Sequence, residues 1–197
     1  MQLWINGVFV SSYESGYIGD RYDISEMLYF DKENIITARL EATVPEGWFY
    51  EGCGIYRPVR LIVTDNINIK DTETFVKSTL VDNAAQISVD TMICNDSDSD
   101  SDYSLTVSVL DGNNTVASAV SNGTVSSFDN NCENLTLTLN DPKLWSPEEP
   151  NLYTVNIKVT DTSGRTDEYS VETGIKTVVF DTDKGVFLNG KKIKIKG

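Results

Sequence analysis

The sequence predicts an all-β protein assembled from β-sandwiches. Apolar and polar residues alternate in run after run; in the run 152–159, for example, the four odd-numbered side chains are all apolar and share one face. Two Asn-Gly pairs, at 6–7 and 189–190, lie between such alternating residues. This pair favours a type I′ hairpin turn, because both central positions need positive φ. Helix signals are confined to residues 23–28.

The first third of the chain contains one hairpin and two further strand candidates. Residues 3–10 (Leu-Trp-Ile-Asn-Gly-Val-Phe-Val) already form a complete hairpin pattern, so we expect this hairpin to lie inside a larger domain. Alternating runs at 34–41 and 56–64 predict two more strands. The segment 23–28 (Asp-Ile-Ser-Glu-Met-Leu) predicts one or two helical turns, with Asp23 or Ser25 as the N-cap.

Seven strand candidates follow, with turn signals between them. They lie near residues 72–80, 86–94, 103–110, 114–120, 132–139, 152–160 and 167–175. Strands at spacings of about 8 to 12 residues are typical of sandwiches, and seven is the number of an immunoglobulin-like domain, although the Cys-Trp-Cys spacing of antibody domains is absent. A Thr-rich run of short strands begins near 64–67. The predicted domains are therefore 1–66, 67–177 and 178–197.

The charge of the chain excludes two classes of partner. Its 197 residues include 16 basic and 30 acidic side chains, giving a net charge of -14. Such a chain repels phosphate backbones and anionic lipid, so we expect no nucleic-acid and no membrane partner, whereas neutral carbohydrate is compatible. No stretch approaches the roughly 20 apolar residues of a membrane helix, and no signal-peptide pattern follows Met1. The sequence leaves the compartment open.

The chain offers no constellation of residues for catalysis. It has no His, which removes Ser-His and Cys-His activation and most zinc sites. The acidic run 96–102 (Asp-Ser-Asp-Ser-Asp-Ser-Asp) lacks the Gly and Glu that an EF-hand needs at its sixth and twelfth positions, which are Ser101 and Val107 here. We interpret the run as a solvated turn between strands, with weak cation binding as the alternative. No metal site and no cofactor are predicted.

The three cysteines are too few and too widely spaced for a disulfide framework. They are Cys53, Cys94 and Cys132. Neighbouring strands could bring Cys94 and Cys132 together, but a disulfide also requires a Cα separation of about 4.4 to 6.8 Å. We expect free thiols.

Three blocks of sequence carry a resemblance. They are residues 52–61 (Gly-Cys-Gly-Ile-Tyr-Arg-Pro-Val-Arg-Leu), residues 144–154 (Leu-Trp-Ser-Pro-Glu-Glu-Pro-Asn-Leu-Tyr-Thr) and residues 185–197 (Gly-Val-Phe-Leu-Asn-Gly-Lys-Lys-Ile-Lys-Ile-Lys-Gly). In this order they resemble the strand that closes the sugar-binding jelly roll, the signature late in the immunoglobulin-like domain, and the strand-turn-strand before the catalytic barrel of family 2 glycoside hydrolases. That family contains β-galactosidases, β-glucuronidases and β-mannosidases. The resemblance covers nearly the whole chain.

The resemblance implies an immunoglobulin-like β-sandwich preceded by a partial jelly-roll (galactose-binding-like) sandwich. Residues 1–66 would be the C-terminal part of the jelly roll, and 178–197 would lead into a TIM barrel that begins just after Gly197. The two catalytic carboxylates of the family lie on that barrel, so the chain itself is expected to be non-catalytic. By resemblance the parent enzyme is a β-galactosidase, because β-glucuronidases tend to differ from Gly-Ile-Tyr-Arg at 54–57.

An aromatic cluster in a predicted loop provides the candidate sugar contacts. Trp48, Phe49 and Tyr50 are followed by Glu51, and aromatic faces stack on sugar rings. In the resembling family this loop reaches toward the active site. Contact with the sugar or the active-site rim is one interpretation, and packing between domains is the other.

Three more residues are expected to be structural. The guanidinium fork of Arg57 suits pairing with a carboxylate or with carbonyls at a domain junction. Pro147 restricts the residue before it to extended geometry, so residues 145–147 predict a rigid crossing with Trp145 as a plug.

Two functions remain open. The first is an accessory part of a glycosidase that shapes the active-site mouth; its partners would be carbohydrate in the complete enzyme, the catalytic barrel and a second copy in a homodimer. The second is a free-standing carbohydrate-binding or adhesion module. The gene sequence beyond Gly197 would discriminate between them.

Overall fold

The computed structural model describes residues 1–15, 17–41 and 54–195, which belong to two compact units, Met1–Ile62 and Val63–Gly197. Regular structure in both units is almost entirely β, which confirms the predicted class. The helices among the described residues are two single 3-10 turns, Ser25–Met27 and Asp71–Glu73. In that part of the chain no helix is long and apolar enough to cross a membrane.

The first unit contains a three-stranded antiparallel sheet. Strand β1 (Gln2–Ile5) lies between β2 (Val8–Ser12) and β3 (Ile36–Arg39). The predicted turn joins β1 to β2, with φ of 52° at Asn6 and 82° at Gly7. The hairpin and the strand predicted at 34–41 are therefore confirmed, although β3 is shorter than the alternating run.

Local polar contacts brace the sheet of the first unit. The Asn6 side chain donates to the carbonyl of Met27 (2.7 Å) and to Oδ1 of Asn34 (2.8 Å), and it accepts the Ile35 N–H (2.9 Å). The predicted helical segment forms only one 3-10 turn. Its N-cap is Ile24, not Asp23 or Ser25, and no side chain caps it.

The strand predicted at 56–64 is wrong. Residues 54–66 contain no strand, and the side chains of Tyr56, Val59 and Leu61 are 68%, 74% and 69% exposed. An alternating pattern becomes a strand only when a neighbouring strand pairs with its backbone. None of the strands in the described ranges pairs with this segment.

The second unit contains a β-sandwich of eight strands. These are β4 (Ile67–Ile69), β5 (Phe75–Val81), β6 (Ala84–Asn95), β7 (Ser101–Asp111), β8 (Asn114–Val125), β9 (Asn130–Asn140), β10 (Tyr153–Asp161) and β11 (Thr166–Thr173). In one sheet β6 pairs with β9 on one side and with β4 and β5 on the other. The second sheet has the order β11-β10-β7-β8. All seven predicted strands are present, and β4 is an additional strand that the pattern did not predict.

The core of the sandwich comes from the alternating faces of both sheets. One continuous cluster contains the inward side chains of β6, β7, β9 and β10. Val155 and Ile157 on β10 are completely buried. Leu135, Leu137 and Leu139 on β9 belong to the same cluster, with at most 7% exposure. Period-two alternation thus places one side of every central strand in the core.

A small antiparallel sheet follows the sandwich within the second unit. Strand β13 (Gly185–Leu188) pairs with β12 (Val178–Asp181) and with β14 (Lys191–Ile193). The predicted hairpin turn lies between β13 and β14, with φ of 49° at Asn189 and 74° at Gly190. The sequence predicted this hairpin but not β12.

Cys94 and Cys132 are free and lie on the neighbouring strands β6 and β9. Met92 pairs directly with Cys132, whereas Cys94 pairs with Asn130, so the two thiols are diagonal neighbours. Diagonal side chains on a sheet are about 7 to 8 Å apart, beyond the span of a disulfide. Cys53 lies outside the described residues.

Candidate functional site

Of the predicted site residues, four lie outside the described residues: Trp48, Phe49, Tyr50 and Glu51. Their contact with a sugar therefore stays a prediction. Arg57 is exposed, and its guanidinium carbon lies 5.6 Å from the ring centre of Tyr56. The described part of the chain places no carboxylate within ion-pair distance of Arg57, so its proposed domain-junction pairing also stays a prediction.

The Trp145 segment forms a compact turn between β9 and β10. Trp145 and Pro150 make an isolated antiparallel bridge, and the Ser146 N–H donates to the Glu149 carbonyl (2.9 Å). The Ser146 hydroxyl accepts the Glu149 N–H (3.0 Å), and the side chain of Asn151 donates to the Leu144 carbonyl (3.0 Å). Pro147 is exposed inside this turn, which holds the Trp145 backbone in a fixed position.

The indole of Trp145 lies against the chain that leaves β11. A Cβ added to Gly174 would come within 2.8 Å of the Cβ and Cγ atoms of Trp145, so only glycine permits this approach. The ammonium of Lys176 lies over the indole ring, 4.7 Å from its centre, in a cation–π contact. The backbone N–H of Trp145 donates to the carbonyl of Ile175 (2.8 Å), which is a fully buried core residue. Trp145 is half-buried, and its role as a plug stays a prediction.

The turn between β13 and β14 is hydrogen-bonded to Trp145 and Thr177. The Asn189 side chain donates through Nδ2 to the Trp145 carbonyl (3.0 Å) and accepts the Thr177 N–H at Oδ1 (3.0 Å). Its backbone N–H also donates to the Thr177 carbonyl (2.9 Å). We call the side-chain contacts of Asn189 with Trp145 and Thr177 the amide clamp. Sequence reasoning used Asn189 only as a turn residue and missed this second role.

A buried tyrosine organises one end of the sandwich. The Tyr103 hydroxyl on β7 donates to Oε1 of Glu133 on β9 (2.5 Å) and accepts from the side chain of Asn131 (2.8 Å). Oε2 of Glu133 accepts the Ser121 hydroxyl (2.9 Å), and a Cβ at Gly123 would lie 2.5 Å from the Tyr103 hydroxyl. Burial, followed by the bond to Glu133, raises the pKa of Tyr103 to about 12.

A second polar group holds the hairpin between β10 and β11. Asp161 is buried and accepts the N–H groups of Ser163 (2.8 Å) and Arg165 (2.9 Å), together with Nε of Arg165 (2.8 Å). Arg165 also reaches Asp65 through Nη1 (2.8 Å). Burial by itself raises the pKa of Asp161, but the hydrogen bonds from Arg165 and Ser163 and the charge of Arg165 outweigh it, so the pKa lies below its usual value.

The acidic run 96–102 is tied to its surroundings by hydrogen bonds. Asn95 is 1% exposed; its side chain donates to the Ser99 carbonyl (2.8 Å) and accepts the Ser97 N–H (3.0 Å). Asp96 accepts from the side chain of Asn68 (2.8 Å), and Asp100 accepts the N–H of Ser127 (3.0 Å). Within the described ranges, no cluster of three or more acidic or Cys side chains could hold a metal ion. The run is a structured turn.

An open depression also lies at this end of the sandwich. Its lining includes Tyr103, Gly123 and Asp161 together with Thr and Asn side chains. Its three ionisable lining groups are already engaged: Tyr103 with Glu133, Asp161 with Arg165, and Asp102 with the hydroxyl of Thr124. The described residues at this end of the sandwich thus supply packing, turns and hydrogen-bonded polar groups.

Comparison with known proteins identifies the class. The sequence model of the family described as Glycosyl hydrolases family 2 matches residues 67–176, more than half of the chain and all eight strands of the sandwich. This chain belongs to family 2 of the glycosyl hydrolases.

Relatives with assigned names match the chain over its whole length. The β-galactosidase BoGH2A of Bacteroides ovatus is 33% identical over 199 residues, covering 100% of this chain and 23% of that protein. A protein of Formosa agariphila described as a putative β-glucuronidase is 32% identical, with 100% of this chain and 18% of that protein covered. The chain therefore spans about a fifth of the length of these relatives.

Solved structures show the same fold. A glycosyl hydrolase family 2 member from Bacteroides cellulosilyticus superposes with a TM-score of 0.92 at 28% identity, covering 98% of this chain and 27% of that one. A β-glycosidase from Bacteroides vulgatus gives a TM-score of 0.84 at 28% identity, with 100% and 24% covered. The chain corresponds to a β-sandwich part that makes up about a quarter of each of these proteins.

Proposed function

We propose that this chain is the accessory, non-catalytic part of a family 2 glycosidase that hydrolyses terminal β-glycosidic bonds with retention, with β-galactosides as its substrates. The observation that carries the proposal is the alignment: the whole chain matches relatives of which it makes up only 23% and 18%. The sequence contains no His, which removes Ser-His and Cys-His activation and fits an accessory role for these domains.

The accessory role is to position other parts of the enzyme. The sandwich closes its own core, and the Trp145 turn and the amide clamp tie the β12–β14 sheet to it. In the complete protein a catalytic barrel would follow this sheet, and the loop with Trp48, Phe49, Tyr50 and Glu51 would border its active site. Carbohydrate, the barrel and a second copy of the chain are the proposed partners.

Activity assays on two proteins test this proposal. The 197-residue chain and the protein expressed with the gene sequence that follows Gly197 are incubated with chromogenic β-galactoside, β-glucuronide and β-mannoside. We expect turnover only by the longer protein, and fastest with the β-galactoside. Turnover that co-purifies with the 197-residue chain would overturn the accessory role, and a preference for β-glucuronide would overturn the substrate class.

A binding experiment separates the proposal from a free-standing carbohydrate-binding module. Sugar affinity comes from convergent groups that enclose the ligand, and the open depression of the sandwich offers no such enclosure. Calorimetric titration of the chain with galactose should give a Kd no tighter than about 1 mM, equivalent to about -4.1 kcal/mol. A much tighter Kd would favour the module.

A further inference from the structure

The connection from the sandwich to the β12–β14 sheet consists of residues 174–177, which have no regular structure. Two backbone hydrogen bonds and the amide clamp hold it. One joins the Asn189 N–H to the Thr177 carbonyl, and the other joins the Trp145 N–H to the Ile175 carbonyl. Of these contacts, only the bond from Asn189 Nδ2 to the Trp145 carbonyl joins the small sheet directly to the turn between β9 and β10.

Asn189 does more in this turn than adopt a positive φ. Asn, Asp and Gly all accept positive φ in a type I′ turn. Only the amide of Asn can donate to one backbone group and accept from another at the same time. An Asp would keep the acceptor for Thr177 and lose the donor to Trp145, and a Gly would lose both.

The other Asn-Gly turn uses its amide in the same way. Asn6 donates to Met27 and Asn34 and accepts from Ile35, so it also binds a distant segment to a hairpin. Asn122 likewise precedes a glycine but lies within β8, and the described residues show no hydrogen bond from its exposed side chain. These two residues supply matched controls.

We propose that Asn189 is a positioning residue whose amide fixes the orientation of the β12–β14 sheet relative to the sandwich. This inference rests on the proposed accessory function, in which that sheet would lead to the catalytic barrel. The bond to Thr177 holds the turn to the last residue of the connection, and the bond to Trp145 reaches the turn between β9 and β10. Rotation of the sheet about residues 174–177 would break the bond to the Trp145 carbonyl.

The test uses NMR to measure the orientation of the β12–β14 sheet relative to the sandwich. Residual dipolar couplings are fitted separately for β5–β11 and for β12–β14, in the wild type and in Asn189→Gly, which retains the turn. We expect one common alignment tensor in the wild type and two different tensors in Asn189→Gly, with amide exchange in β12–β14 about tenfold faster because two hydrogen bonds are lost. Asn6→Gly should leave the common tensor unchanged. A common tensor in Asn189→Gly would overturn the proposal.

A second measurement needs no variant and decides the case if Asn189→Gly does not fold. In the wild type the side-chain amide protons of Asn189 should exchange at least about tenfold more slowly than those of Asn122. Equal rates would show that the clamp is not formed. Neither experiment involves a sugar, so failure of the glycosidase assays and failure of the clamp are distinguishable.

Discussion

At the scale of single residues, the polar groups that are buried in the sandwich are matched to specific partners. Tyr103 meets Glu133 and Asn131, and Asp161 meets Arg165 and the backbone of its own hairpin. No buried side-chain nitrogen or oxygen among the described residues lacks a hydrogen-bond partner. Because an unpaired buried polar group costs about 1 to 3 kcal/mol, removing one partner should be more damaging than the loss of one contact suggests.

Replacing Tyr103 with Phe removes the hydroxyl that Glu133 accepts. We expect the free energy of unfolding to fall by about 1.5 to 3 kcal/mol, because a bond to a charged group is lost and Glu133 stays half-buried. Burial and the bond to Glu133 raise the pKa of Tyr103 to about 12, above the ordinary tyrosine value of 10.0. The stabilisation that the Tyr103 hydroxyl gives is therefore complete below the pKa of the unfolded state. It is lost as the pH rises through the pKa of the folded state.

Urea unfolding of both proteins, at neutral and at strongly alkaline pH, measures this. The difference between Tyr103→Phe and the wild type should shrink at alkaline pH. A difference that is the same at both pH values would show that the hydroxyl bond does not contribute.

Asp161 should show the opposite dependence on pH. Its pKa is lowered in the folded protein, so its stabilising effect is present above the unfolded pKa and is lost as the pH falls through the folded value. We expect Asp161→Asn to unfold at a lower temperature than the wild type at neutral pH and to approach it in strong acid. Thermal unfolding followed by circular dichroism measures both. A difference between the two melting temperatures that is the same at neutral and at acid pH would contradict the stabilising role of the Asp161 carboxylate.

At the scale of elements, each sandwich strand separates a core face from an exposed face. On β10, Val155 lies between Val109 and Val171 and is fully buried. Its neighbour Asn156 points the other way, toward Ser170 and Ser108. Two adjacent positions on one strand therefore test the two faces of the sheet.

Val155→Asp should unfold the sandwich. It places an unpaired carboxylate in the core, which we expect to cost at least about 4 kcal/mol. Asn156→Asp introduces the same charge one residue away on the exposed face and should change the stability by no more than about 0.5 kcal/mol. Urea unfolding of both variants measures the contrast. Similar losses in the two would mean that the face assignment of β10 is wrong.

At the scale of the whole molecule, the two units have very different cores. The sandwich of the second unit has one continuous apolar cluster. Among the described residues of the first unit, Ile5 is the one hydrophobic residue that is buried. Trp4 and Phe9 add an edge-to-face ring pair, 5.6 Å between centroids, next to it. Stability is therefore expected to be concentrated in the second unit.

Trp4→Ala should loosen the first unit alone. Loss of the ring pair should speed amide exchange in β1–β3 about tenfold or more, while the protection of β6, β7 and β10 stays at the wild-type level. Phe30→Ala is the control, because this aromatic side chain is 91% exposed. Hydrogen exchange with mass spectrometry measures both variants. Equal loss of protection in both units would show one cooperative domain and contradict the predicted boundary at 66/67.

The sequence by itself determined the all-β class, the seven sandwich strands and both Asn-Gly turns, because alternation and turn chemistry act over a few neighbouring residues. It also pointed to the Trp145 turn, through Pro147 and its neighbours. Only the tertiary structure decided which alternating runs become strands, since the run at 56–64 has no partner strand among the described residues. It also decided the second role of Asn189, whose amide meets a carbonyl 44 residues away in sequence. Pairing of such distant groups depends on how the sheets pack, and no local pattern records it.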